Sequence, residues 1–589
     1  MKKTGAILGV TGILAVALYF LVIVQTAKIT AADFLPGDIL VAIEQRDLGE
    51  LYDDFKVSRF GSTLAGIDYV KIATSLELDP AEIETIKDIK HQLAEFVGSP
   101  VFNEFLGREF TLALVPFPAA ALNVPEKMTA NSLLFISKPR HNTDILELLS
   151  SLFTKQLEQT SIQHGRYNLR QFLVEEGMTV TVATIEGYVI AAFNEQLIKE
   201  SLDRYDSKQN SLAQNHEYMR LRAEFVEAKL FTYISIPALY SQANRWTEDL
   251  EQDQKEDIQK TIDQWKGWEG LAFGAWKEKN AVRDKAVVLF SKEQLDPLVA
   301  RMCAVSPVDN KTLTMIPADI LGYYWTNTFD MQTFWEIFIR EMQGNTESIE
   351  ALEQNVKLST GIELSQLLTM FGSEAVLLLK DIATDGFIPL PNGALFVKIE
   401  KKDEFEKMVE PLLLQANIPT ESEEYKGIKL VSWGVSLHPG LQPVYALHQG
   451  YLIMASTTNL IKEIIDSPVG YQEQPGATGA KAGGFRGALI NDSSFQQIND
   501  GLHQGLSGVN SSVSFLRFSS LLQMLKELAS WGGVMLSMQD RESALKSTVL
   551  LEELLLPLLD VLAMYDVMGG RTTIQDDAII LESNMILAK

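Results

Sequence analysis

The side chains that most often do chemistry are scattered along this chain. Seven histidines are present: His91, His141, His164, His216, His438, His448 and His503. None stands at metal-ligand helical spacing from a second histidine or a glutamate. His438 and His448 flank a turn at Pro439-Gly440, a setting that suits solvated or core histidines better than ligands. Ser436 lies two residues before His438, so the pair would share one strand face without forming a dyad. Neither Gly434-Val435-Ser436-Leu437-His438 nor Gly505-Leu506-Ser507-Gly508 meets the Gly-x-Ser-x-Gly pattern of a nucleophile elbow. The Gly476–Gly484 tract lacks the Gly-Lys-Ser/Thr ending of a phosphate loop and reads as a loop insertion.

The single cysteine, Cys303, follows Arg301 and Met302 in a helical pattern. Alone it forms no internal disulfide and no thiolate metal site, and a buried, inert thiol is expected. Acidic pairs such as Asp53-Asp54, Glu175-Glu176, Glu423-Glu424 and Asp576-Asp577 are frequent. With 51 basic against 77 acidic residues the net charge is −26, so such pairs arise by composition and are expected in water. The same charge repels phosphate backbones, and no nucleic-acid partner is expected. No catalytic, cofactor-binding or metal-ligating residue is assigned, and the chain is read as a non-enzyme.

Met1-Lys2-Lys3 precedes an uncharged run to Val24. Twenty helical residues rise about 30 Å, the thickness of a bilayer's hydrocarbon core. Residues 5–24 are therefore read as a transmembrane signal anchor, longer than the usual apolar region of a cleaved signal. Lys2 and Lys3 against Asp33 and Asp38 put the N-terminus in the cytoplasm and the bulk of the chain in the periplasm. A cleaved signal, with Thr30-Ala31-Ala32 as its processing site, is the competing reading.

The elements that would position any site occur twice. Gly187-Tyr188-Val189-Ile190-Ala191 with Leu197-Ile198-Lys199-Glu200 returns as Gly450-Tyr451-Leu452-Ile453-Met454 with Leu460-Ile461-Lys462-Glu463. Leu35-Pro36-Gly37-Asp38-Ile39-Leu40 matches Ile316-Pro317-Ala318-Asp319-Ile320-Leu321, and Leu106-Gly107-Arg108-Glu109 matches Phe371-Gly372-Ser373-Glu374. Short aromatic helices are expected over Leu48 to Phe55 and Met331 to Phe338. Near the ends, Asp284 to Leu289 is aligned with Asp576 to Leu581. Period-two alternation over Thr179 to Ile185, then Gly187 and a strand from Tyr188, predicts a hairpin. Asp79, Pro80 and Glu82 predict a capped helix running to about Phe96.

The fold class is therefore α+β: a transmembrane helix, then two homologous modules, each a mainly antiparallel curved sheet of seven or eight strands covered by helices. The domains are residues 1–28 (stub and anchor), 33–303 (first module), 304–313 (linker) and 314–589 (second module).

The halves differ where a polar helix expected over Thr247 to Lys266 has the apolar Val549 to Leu562 as its counterpart in the second module. Leu550, Leu551, Leu554, Leu555, Leu558, Leu559 and Leu562 are the candidate surface for an apolar ligand or partner. Burial in the core or between the modules is the plainer alternative. Pro557 is expected to kink the segment, and Glu552, Glu553 and Asp560 argue against a second span.

The anchor, Leu-Pro-Gly-Asp-Ile-Leu, Phe-Leu-Gly-Arg-Glu and Gly-Tyr-Val-Ile-Ala with Leu-Ile-Lys-Glu together resemble the bacterial family catalogued as domain of unknown function 3352. The resemblance implies an exported, membrane-anchored protein and carries no catalytic residues. Three functions follow as expectations: a membrane-anchored interaction or scaffold module, a carrier or chaperone for lipid or another apolar ligand, and a hydrolase built on distant carboxylates.

Overall fold

The structure is a computed structural model. It describes residues 29–98, 102, 104, 108–118, 132–140, 159–175, 178–247, 251–278, 280–341, 346–383, 389–415, 418–434, 442–467, 487–539 and 541–588. The expected anchor at 5–24, Ser436, His438, His141 and the Gly476–Gly484 tract lie outside these residues. Among the described residues, no helix is long and apolar enough to cross a membrane. Helix takes 43% and strand 34%, so the α+β class holds.

By contact, the chain divides into two compact units: Met1–Leu48 with Pro100–Glu224, and Gly49–Ser99 with Phe225–Lys589. These units cut across the sequence-based boundaries, because the helical stretch Gly49–Ser99 packs with later parts of the chain.

Unit 1 holds β1 (Val41–Arg46), β2 (Glu109–Leu114), β3 (Leu133–Lys138), β4 (Gln159–His164), β5 (Tyr167–Glu175), β6 (Met178–Ile185) and β7 (Tyr188–Ala192). Their order is β1-β2-β3-β7-β6-β5-β4, antiparallel throughout. The predicted hairpin is β6–β7. Its two-residue turn, Glu186-Gly187, has positive φ at both positions (49° and 79°). That is the geometry whose twist matches the flanking strands, and it explains the glycine. The helix Glu195–Ser207 follows, with Asn194 accepting from the Gln196 N–H and Ile198, Ser201 and Leu202 buried.

Unit 2 holds β8 (Leu230–Ile234), β9 (Trp268–Lys277), β10 (Ala281–Phe290), β11 (Val308–Asp309), β12 (Gly322–Thr326), β13 (Phe371–Ala383), β14 (Leu390–Ile399), β15 (Thr420–Tyr425), β16 (Ile428–Trp433), β17 (Val444–His448), β18 (Tyr451–Ala455), β19 (Val509–Asn510), β20 (Ser512–Leu516), β21 (Tyr565–Ile574) and β22 (Ala578–Leu587). One antiparallel succession runs β8-β9-β10-β22-β21-β20-β12-β13-β14-β18-β17-β16-β15. Its core face buries Tyr323, Trp325, Val376, Leu378, Phe396, Ile453 and Phe515 under Leu460, Ile461, Ile464 and Phe495 from covering helices. The opposite face carries a second cluster, in which Phe405 and Met408 of the helix Lys402–Gln415 meet Val431, Tyr445 and Leu452. Here the Gln449-Gly450 turn again has positive φ at both positions (49° and 82°).

Several local expectations are revised. Among the described residues, strands number ten between residues 31 and 290, above the seven or eight expected, with β8 and the long hairpin β9–β10 ending the stretch. The polar helix expected over Thr247 to Lys266 is the shorter helix Gln252–Asp263, and Thr247 ends the preceding helix Ile236–Thr247. The alignment of Asp284 with Asp576 slips by five residues. Asp284 sits inside β10 opposite Ser583, whereas Asp576 and Asp577 lie in the β21–β22 turn. The stretch read as a linker is held down: β11 pairs with β19, and Asn310, Thr312 and the Tyr323 hydroxyl form a buried hydrogen-bonded trio. The helix Pro80–Gly98 is capped as expected, with the Glu82 carboxylate accepting from the Asp79 N–H at 3.0 Å. The Asp79 carboxylate accepts from the Ala81 N–H, one position earlier than a full capping box.

Candidate functional site

The repeated Gly-Tyr motif owes its burial to an acceptor from another motif. Tyr451 is buried on β18 and donates to the Glu374 carboxylate at 2.8 Å. Trp325, fully buried on β12, donates its ring N–H to the same oxygen at 3.2 Å. The Lys398 ammonium lies 4.6 Å from the Tyr451 ring centre. In unit 1, Tyr188 donates to the Ile29 carbonyl at 2.9 Å and stands 3.4 Å from Glu109, with Lys138 at 4.6 Å over its ring. Burial, then the neighbouring carboxylate, pushes both phenols above the usual tyrosine range. Both hydroxyls thus stay protonated, as donors that satisfy a carboxylate. The sequence did single out Glu109 and Glu374, through the matched Gly-x-Glu, but gave no sign that they meet the tyrosines.

Unit 1 adds a cluster that sequence reasoning missed. Glu44 on β1 accepts from the Tyr218 hydroxyl at 2.5 Å and from Arg222 Nε at 3.1 Å, both on the helix His216–Ala223. Burial and the adjacent Glu44 hold the Tyr218 phenol strongly protonated. The trio acts as a strut between strand and helix.

The seven candidate leucines occupy one bent helical run. Leu550 ends the helix Arg541–Leu550; Leu551, Leu554 and Leu555 form the π-helical turn Leu551–Leu555; Leu558, Leu559 and Leu562 lie on the helix Leu556–Leu562. The π turn has a direct cause. Pro557 lacks an N–H and its ring crowds the preceding turn, so the backbone widens just before it. The run packs against the helices Phe518–Gln539, Arg59–Gly66 and Tyr69–Ser75, all within unit 2. Lys71 pairs with Glu553, and Lys546 with Glu77 at 3.1 Å, across the same contact. Leu559 is buried at 8% exposure and Leu555 is open at 42%; the other five are half-buried.

A cleft of about 730 Å³ opens in unit 2 beside the helix Lys402–Gln415. Val409, Val431, Tyr445 and Leu447 form its apolar wall, and Lys402, Lys407 and Lys429 rim it together with Asp403 and Glu406. The volume falls in the range of small-molecule sites. A second cleft of about 580 Å³ is polar, with Lys380 held between Asp319 and Glu463 at its wall.

The other chemical candidates are placed as structural groups. His164 contacts Asp203 at 2.7 Å and His91 contacts Glu95 at 3.3 Å, both near the surface. Burial pushes the His448 imidazole down, keeping it neutral. Cys303 is buried, which pushes its thiol up and away from reactivity. Asp54 and Asp576 form ion pairs with Lys277 and Lys292. Among the described residues, no three His, Cys, Asp or Glu side chains gather as metal ligands would.

With this geometry in hand, comparison with known proteins gives one family. The family described as a protein of unknown function, DUF3352, matches residues 102–381. Over that stretch the chain is similar to this family. The match takes in β2 through most of β13, including both glutamates that receive the buried tyrosines. No curated protein matches the chain in sequence. Crystal forms IV and I of TP0453 are structurally similar at 9% and 8% identity, each with a TM-score of 0.23. They cover 45% and 47% of this chain and 81% and 84% of TP0453.

Proposed function

We propose that this protein is a membrane-anchored, extracytoplasmic interaction module, built by duplication and non-enzymatic. The duplication is supported by two matching successions of pairings: β1-β2-β3-β7-β6-β5-β4 and β12-β13-β14-β18-β17-β16-β15. The terminal hairpins share an offset, since 574 − 277 and 579 − 282 both give 297. Anchoring rests on the uncharged run at residues 5–24 and its flanking lysines.

The observation that carries the interaction role is an apolar row on the face of unit 2 opposite its core. Tyr324, Leu377 and Leu395 stand side by side on β12, β13 and β14, exposed by 46%, 60% and 38%. Adjacent exposed apolar side chains on a soluble face mark contact sites more often than isolated ones do. Crosslinking in cells tests the reading: wild type yields a defined adduct and Leu377→Asp loses it. An unchanged adduct pattern in the variant refutes the role of this face.

The cleft beside Lys402–Gln415 favours a second reading, a carrier for an amphiphile whose tail meets Val409, Val431 and Leu447 while the lysine rim meets an anionic head. Native mass spectrometry of gently purified protein tests it. A clean apo mass, unchanged on adding a long-chain fatty acid, refutes it.

A further inference from the structure

Strand β4 ends the succession in unit 1, and β15 ends it in unit 2. Among the described residues, β4 pairs only with β5 and β15 only with β16. Among the described residues, each therefore leaves a row of backbone N–H and C=O groups without a strand partner, a template for another strand. The two edges are protected very differently. β15 places Glu421, Glu423 and Glu424 within six residues. β4 reads Gln159-Thr160-Ser161-Ile162-Gln163-His164, with no Asp, Glu, Lys, Arg or Pro. In a chain of net charge −26, a solvent-facing edge without one charge lacks the usual means of refusing a partner. Gln159, Thr160, Ser161 and Gln163 are exposed and Ile162 is half-buried.

We propose that the β4 edge pairs antiparallel with the β4 edge of a second copy of this chain, giving a two-fold dimer. Charge selects the occupant. Self-pairing through β15 sets six carboxylates across one ladder, whereas self-pairing through β4 brings no like charges together. The chain already contains a joint of this kind: β10 pairs antiparallel with β22, and the 297-residue offset makes Lys285 and Glu582, which face each other, equivalent positions. An isologous contact uses one patch twice, and a short antiparallel ladder meets that requirement with backbone hydrogen bonds. The two-fold axis passes between a residue and its own copy, so Ser161 or Ile162 faces itself. Directly opposed Cα atoms lie roughly 4.5–5.5 Å apart, within disulfide reach.

The proposal rests on the interaction reading but uses a different surface, and single-cysteine crosslinking separates the two. The full-length protein in membranes, as Ser161→Cys or Ile162→Cys, is oxidised and run without reductant; the native Cys303 is buried and serves as background. A disulfide dimer at one of these positions, absent from Glu423→Cys on β15, is expected. Adding Thr160→Glu and Gln163→Glu, exposed positions that leave the fold intact, should abolish the dimer while the melting temperature stays unchanged. Three outcomes overturn the proposal: no dimer from either β4 cysteine, equal dimer from Glu423→Cys, or an adduct with a different protein. If adducts sensitive to Leu377→Asp persist alongside any of these, the interaction role stands and only the β4 dimer falls.

Discussion

Arg571 offers the sharpest test of how unit 2 is held together. It is buried on β21, and its Nε donates to Glu582 on β22 at 2.7 Å while a second nitrogen pairs with the same carboxylate. Its remaining nitrogen reaches Gln504 at 2.8 Å, Thr573 at 3.1 Å and Asn510 at 3.3 Å. One guanidinium thus satisfies four partners beside the β10–β22 junction. Arg571→Met removes the donors and leaves the largely buried Glu582 carboxylate without its guanidinium partner. Breaking such a pair from one side costs about 3–5 kcal/mol. Glu582→Leu alone strands the cation and should cost a similar amount. The double variant removes both charges and leaves only neutral acceptors, so its loss should fall to about 1–2 kcal/mol. The expected coupling is therefore several kcal/mol and favours the pair of substitutions over either one. Urea unfolding followed by tryptophan fluorescence provides the free energies, with hydrogen exchange of β21 and β22 locating the loss. Additive single-variant effects, or a single-variant loss under about 1 kcal/mol, would refute the claim that this network is mutually dependent.

Other outcomes follow from the same structure. Tyr188 and Tyr451 are held protonated in the folded state beyond the ordinary tyrosine pKa of about 10. Because the folded pKa is raised, their contribution is full below about pH 10 and fades as pH rises above it. Alkaline melting curves should drop steeply there and less steeply in Tyr451→Phe; an identical slope contradicts the assignment. Leu559→Ala should destabilise by about 2–5 kcal/mol, and Leu555→Ala by roughly 0.5 kcal/mol or less; equal losses in urea titrations would mean that the bent helix is not docked as described. Removing residues 1–28 removes the export signal together with the anchor, so the protein should move from the membrane to the soluble cytoplasmic fraction. Continued membrane association of that truncation counts against the anchor at residues 5–24.

Much of the framework was legible in the residues, and the reasons are local. Gly187 and Gly450 announce turns because two successive positive φ values suit glycine, and the alternation on either side specifies the strands. Leu197, Ile198, Ser201 and Leu202 announce a helix face by spacing alone, and Asp79 with Glu82 marks a helix start by backbone satisfaction. The proposed repeat rests on order along the chain, so it can be read without coordinates.

What tertiary structure decided concerns distance along the chain. No local pattern brings Glu374 to Tyr451 and Trp325, because strand order, not sequence proximity, makes them neighbours. The stretch Gly49–Ser99 packs with residues near the other end of the chain, which put the apolar Val549–Leu562 run against helices from the first half and left only Leu555 of the seven leucines open. Composition declared that run apolar; only packing determines whether apolar side chains meet protein or water. The same holds for the sheet edges. β4 and β15 look alike as short polar strands, and their difference acquires meaning only because both lie at the ends of their sheets, where an unpaired backbone must be defended by charge or used.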